Sequence, residues 1–205
     1  MPAIEFTFNT SQLDALAEKI GQAVDGGAIE RGSVRGVNEV LDRTYDTSRK
    51  RMNAGINLDD QYISRKLTVE HATTVPRGTI TAAGDLTVLG RYSPKILLKP
   101  VKHPAKSKGD RSRGIPPGLK ATGVSVQVSR GVAKPIEHGF LMPLRGGNGI
   151  GVFTRGTDGK VRHRYGPSVY QLFRATVDEL TPEIEDDLEA TVSDAVLIEV
   201  RKAIE

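Results

Sequence analysis

The stretch Val161-Arg162-His163-Arg164-Tyr165-Gly166-Pro167-Ser168-Val169 decides the fold class, because the periodicity of the chain changes inside it. Val161–Tyr165 reads as a strand. Gly166-Pro167-Ser168 then leaves the sheet, and Ser168 suits the N-cap of a helix whose buried face is Val169, Leu172, Phe173, Val177 and Leu180. Upstream the same two-residue period recurs in Leu67–Thr73, Thr79–Ala83, Thr87–Tyr92, Gly123–Ser129, Ile136–Met142 and Gly149–Thr154, with Gly156-Thr157-Asp158-Gly159 as a hairpin turn. A further short strand fits Lys95–Leu98.

Helical spacing returns at both ends. Leu13, Leu16, Ile20 and Val24 place a helix over Gln12–Val24, capped by Thr10 or Ser11 and ended by Gly26-Gly27. A second runs from about Ala28 to Met52, with Val34, Val37, Leu41, Tyr45, Ser48 and Met52 on one side. Gly32 and Gly36 weaken its first half by about 1 kcal/mol each relative to alanine. Asp59–Lys66 suits a short helix. Thr181-Pro182-Glu183 carries a cap, a first-turn proline and an acid, which predicts a restart and a separate final helix over 182–205. The order is helices, strands, helices with no alternating βαβ rhythm. It predicts an α+β fold: N-terminal helices, a central, mostly antiparallel β-sheet, and C-terminal helices packed on the sheet. The whole chain, 1–205, reads as one such domain.

Composition narrows the chemistry. There are 205 residues, enough for a substantial core, with 29 Lys+Arg against 25 Asp+Glu and no cysteine. A disulfide framework, a thiolate nucleophile and Cys-ligated zinc are therefore excluded. The longest aliphatic run is Ala195–Ile198, far short of the roughly 20 residues of a membrane span. Met1–Thr10 lacks the basic start and apolar stretch of a signal peptide.

Catalytic signatures fail in turn. Gly146-Gly147-Asn148-Gly149-Ile150-Gly151 is glycine-rich but precedes a strand, so a hairpin loop explains it better than a phosphate cradle. His71, His103, His138 and His163 show no ligand spacing, and no metal site is expected. In the expected strand Ile136–Met142, His138 and Glu137 point to opposite faces. No GxSxG elbow occurs, and no cofactor or enzymatic activity is expected.

The strongest compositional signal lies between Arg91 and Arg113, where eight basic residues meet one acid, Asp110. Five of the eleven prolines fall between Pro94 and Pro117, and no period can be drawn through Lys99–Gly118. A loop of that length exceeds the usual limit of about 12–15 residues. Lys99, Lys102, Lys106, Lys108, Arg111 and Arg113 would lie on an extended segment able to follow a polyanion, or simply on a solvated loop. Asp178–Glu189 is the counterpart, with seven acids and no base. A neighbouring copy's acidic surface, or DNA, are the two partners the loop would fit.

Three segments carry a family resemblance: Glu137-His138-Gly139-Phe140-Leu141-Met142, Gly151-Val152-Phe153-Thr154-Arg155 and Arg162-His163-Arg164-Tyr165-Gly166-Pro167-Ser168-Val169. In order and spacing, with an acidic helical C-terminus, they resemble the minor tail protein Z family of tailed bacteriophages. The earlier Tyr62–Leu67 and Gly78–Ala83 fit it as well. The resemblance spans roughly residues 30–175 and implies a non-enzymatic tail completion protein at the head-proximal end of the tail. That implies a virion subunit assembled in the host cytoplasm. Its expected neighbours are the tail terminator, tail tube and head–tail connector proteins, in a homo-oligomeric ring around the DNA passage. Phe140, Phe153, Arg155, Tyr165, Gly166, Pro167 and Ser168 are the motif residues expected to serve structure and assembly. A free, non-specific double-stranded DNA-binding protein acting through 91–113 is the alternative. Glycine before proline at residue 166 predicts a backbone conformation closed to β-branched side chains.

Overall fold

The computed structural model describes residues 26–102 and 114–204. The expected helix Gln12–Val24 lies outside them. The elements in chain order are α1 (Gly26–Gly55), α2 (Asp60–Ser64), β1 (Leu67–Glu70), β2 (Thr79–Ala82), β3 (Thr87–Val88), β4 (Lys95–Pro100), β5 (Leu119–Val126), β6 (Lys134–Glu137), β7 (Phe140–Pro143), β8 (Ile150–Arg155), β9 (Val161–Gly166) and α3 (Val169–Ile204). Every strand pair is antiparallel, so the fold is α+β. The strands form three sheets, ordered β1-β2, β3-β9-β8-β7 and β4-β5-β6, rather than the single sheet expected. Contacts divide the chain into a helical unit (Met1–Met52, Asp60–Asp85, Ser168–Glu205) and a β unit (Asn53–Asp59, Leu86–Pro167).

In the helical unit α1 and α3 run antiparallel along a shared apolar seam. From α1 come Val37, Val40, Leu41 and Met52; α3 contributes Leu180, Ile184, Val192, Val196 and Val200, all buried, and nearer its start Phe173 and Val177 are buried too. Of the expected α1 stripe, only Val34 and Tyr45 stay partly exposed. The glycines that weaken α1 locally let the helices approach. A Cβ on Gly32 would lie 2.5 Å from the Val196 Cα, and one on Gly36 would lie 2.7 Å from the Val192 Cα. Beside the seam, Arg35 pairs with Glu199 at 2.8 Å, Arg43 with Asp187 at 3.1 Å and Arg51 with Glu183 at 3.9 Å. The β1–β2 hairpin closes this unit. Ile80 and Ala82 are fully buried, Gly78 lies under Leu41, and the Asn38 side chain makes two hydrogen bonds with the Ala72 backbone, at 2.8 and 3.0 Å. The backbone N–H of Tyr170, in the first turn of α3, donates to Ala83 O beside the end of β2.

Helix α3 corrects the expected break at Thr181-Pro182. It is one helix of 36 residues with Pro182 inside. The Thr181 hydroxyl donates back to Val177 O at 2.9 Å instead of capping a new start. Proline costs an interior helix about 3 kcal/mol. The seam nevertheless continues across it, with Leu180 on one side and Ile184 on the other both buried. Each such side chain contributes about 1.5–3 kcal/mol when buried. Continuity of the seam therefore outweighs the local preference to restart. The beginning of α3 follows expectation: Ser168 Oγ accepts from Gln171 N at 3.2 Å while Gln171 Oε1 accepts from Ser168 N at 3.0 Å, a complete capping box.

Two expected strands in the β unit are shorter. Thr87–Tyr92 ends at Val88 and becomes a 3₁₀ turn over Leu89–Arg91, in which Gly90 sits directly against the Ile150 carbonyl. Ile136–Met142 breaks at His138, whose φ of 55° is left-handed, so β6 and β7 belong to different sheets. The opposite-face arrangement expected for Glu137 and His138 does not arise, because His138 is outside the strands. Tyr92 is fully buried beneath the corner and donates its hydroxyl to Pro167 O at 3.1 Å.

Candidate functional site

A cationic cleft forms where β5 meets the β6–β7 turn. Residues Lys99 and Pro100, expected in a structureless loop, are the last pair of β4, opposite Lys120 and Leu119 of β5. The Val101 N–H donates to Gly118 O at 2.9 Å and extends that ladder by one more bond. Ile115 is buried, which anchors the returning end of the connection. Lys102 is exposed just beyond the ladder, and Lys106, Lys108, Arg111 and Arg113 lie outside the described residues.

The register slips between Leu97 and Leu98, which leaves Thr122 as an extra residue in β5. Its hydroxyl donates to Leu97 O at 3.3 Å and its carbonyl accepts from His138 N at 3.1 Å. Such bulges re-aim side chains at a sheet margin. A cavity of about 350 Å³ opens here, lined by Lys99, Lys120, Thr122, His138 and Phe140 among others. Lys99 and Lys120 are direct cross-strand partners, an arrangement that repels. Among the described residues no carboxylate lines the cavity. Among the described residues no ion pair neutralises either lysine. Lys120 falls outside the charge run, and His138 reads from sequence only as a strand residue without ligand spacing. The signal was available only in register, from Lys120 lying opposite Lys99.

Phe140 connects the cleft to a second surface, which assembles the motif residues. The Phe140 and Phe153 rings stack with centroids 6.2 Å apart and Phe153 and His163 at 4.4 Å, while Tyr165 meets His163 tilted by 48° at 4.3 Å. The row crosses β7, β8 and β9 because Phe140 is in register with Phe153, and Phe153 with His163. The opposite side is core only in part: Val152 and Thr87 are fully buried and Thr154 nearly so, whereas Ile150, Arg162 and Arg164 on that side are exposed. The aromatic side is half-open, with Met142 36%, Val161 44% and Tyr165 47% exposed. His163, a histidine without ligand spacing in the sequence, is a rung of this row. Burial holds its imidazole pKa below the ordinary value.

The remaining motif residues are structural. Arg155 Nη1 donates to Gly159 O at 2.8 Å and braces the 156–159 hairpin. Gly166 and Pro167 pack at Tyr92, and Ser168 caps α3. The loop at 146–149 is the expected hairpin connection, closed by Leu144 N donating to Gly149 O at 2.8 Å.

Charge separates by unit. The segments of the β unit carry 16 basic and 4 acidic residues, a net of +12, while those of the helical unit carry 13 basic and 21 acidic, a net of −8. The overall +4 conceals this division. The acidic run of α3 is partly spent within the chain, since Glu183 and Asp187 pair with α1 and Asp178 with Arg174. Glu179, Glu185, Asp186 and Glu189 are exposed. Among the described residues no three metal-ligating side chains converge, and no helix is long and apolar enough to cross a membrane. Comparison with protein-family models, curated proteins and solved structures found no match.

Proposed function

We propose that this protein is a non-enzymatic structural subunit of a bacteriophage virion, a tail completion subunit at the head-proximal end of the tail. One observation carries the reading. The three motif segments, separate in sequence, lie on adjacent strands and join their aromatic residues into one half-open face. A row of rings on a half-open sheet face, flanked by exposed Met142, Val161 and Tyr165, suits a protein that works by surface contact.

The occupant of that face is a second copy of the chain. Exposed acids on α3 and the strongly basic β unit are complementary in charge, which favours a head-to-tail contact between identical subunits. Repeated around an axis, that contact closes a ring through which DNA passes, with the tail terminator, tube and connector proteins as neighbours. Tails assembled without this subunit should regain the ability to join heads when purified protein is added. Failure to do so, with the neighbouring components active in the same assay, overturns the proposal.

A further inference from the structure

We infer that the cleft bounded by Lys99, Lys120 and His138 is a binding site for the phosphodiester backbone of nucleic acid, independently of how the subunit assembles. Two lysines held directly opposite one another repel, and that cost is relieved when an anion sits between them. The bulge at Thr122 and the left-handed turn at His138 open a space of about 350 Å³ at that point, large enough for a phosphate with its flanking sugars. Among the described residues its lining holds no carboxylate. Glu137, the only acid of the β4-β5-β6 sheet, is in register with Gly123, whereas Lys95, Lys99, Lys120 and Lys134 give that sheet four cations.

The backbone N–H groups of His138 and Gly139 are committed to Thr122 O and Ile136 O. Recognition therefore rests on the side-chain cations, not on a backbone nest. Contacts of this kind position a polymer without reading its sequence. Lys102 stands exposed where the chain leaves the ladder and extends the cationic track beyond the cleft.

The test is fluorescence anisotropy of the full chain with a labelled duplex of about 25 base pairs, titrated between about 50 and 200 mM NaCl. A single strand of the same length forms a parallel arm. The K99Q/K120Q variant should bind more weakly at low salt by the same factor on unrelated sequences, and its log K against log salt slope should be shallower by about 1.8 for duplex, or about 1.4 for single strand. K50Q/K160Q removes two exposed lysines far from the cleft in sequence and should leave the slope in place. Thermal melting checks that each variant is folded. An unchanged slope for K99Q/K120Q, or equal loss in K50Q/K160Q, overturns the inference. Competition by polyglutamate at matched charge as effective as by duplex would also overturn it, assigning the cleft to an acidic protein surface.

Discussion

Gly166 lies flush against the ring of Tyr92: a Cβ at residue 166 would fall 2.6 Å from Tyr92 Cε2 and 3.1 Å from Cζ. The glycine is required by that contact and not by an unusual φ, since residue 166 is outside the left-handed region. The sequence alone places the constraint at residue 166 in its backbone conformation, and the structure places it in this contact instead. Tyr92 cannot retreat, because it is fully buried and bonded to Pro167 O. Gly166→Val should therefore cost about 2–4 kcal/mol by overpacking. Chemical denaturation measures it; a loss below about 0.5 kcal/mol, the range of a surface change, contradicts the packing.

At Gly32 and Gly36 helix propensity and packing make opposite forecasts. Alanine favours an isolated helix by about 1 kcal/mol over glycine. Here the added methyl group would press on the α3 backbone at Val196 or Val192. Gly32→Ala and Gly36→Ala should each destabilise by about 1–3 kcal/mol. A gain in stability for either would mean that α1 and α3 cross less closely than described.

Ser48 presents the reverse case. It is fully buried in α1, and its hydroxyl has no hydrogen-bond partner among the described residues. Such a group carries a desolvation cost of about 1–3 kcal/mol, and Ser48→Ala also raises helix propensity. The variant should melt at a higher temperature than the parent, and a lower melting temperature would show that the hydroxyl is satisfied.

The stack at His163 makes stability sensitive to acid. Burial lowers its folded-state pKa, so the unfolded chain binds the proton more readily. Stability contributed by the neutral imidazole is complete above the unfolded value of about 6.5 and is lost as pH falls from there through the lowered folded value. His163→Phe keeps a ring between Phe153 and Tyr165 and should abolish this component of the pH dependence. Parallel stability–pH curves for the two proteins below pH about 6.5 would remove the argument.

Local chemistry made much of the fold legible. The α1 stripe, the 156–159 hairpin and the Ser168 cap each depend on residues a few positions apart, and all were read from sequence. Pro182 misled because a local stop signal was overruled by a seam extending to both sides of it. His138 was opaque because a left-handed histidine has no periodic signature. The candidate surfaces were harder still. Phe140, Phe153, His163 and Tyr165 become neighbours only through strand register, and the +12 and −8 division appears only when discontinuous segments are grouped into their units. The basic run pointed to Lys99 and Lys102, but Lys120 and His138 are brought to them by the β5 ladder and its bulge.

The central claim, self-association through the aromatic side of β7, β8 and β9, is tested most directly by sedimentation velocity of the purified chain and of Tyr165→Glu. Tyr165 is 47% exposed at the end of the ring row, so a charge there should not unfold the protein but should block a copy from docking. The account predicts a concentration-dependent oligomer for the parent and a folded monomer for the variant. A parent that stays monomeric, or a variant that assembles equally well, would contradict it.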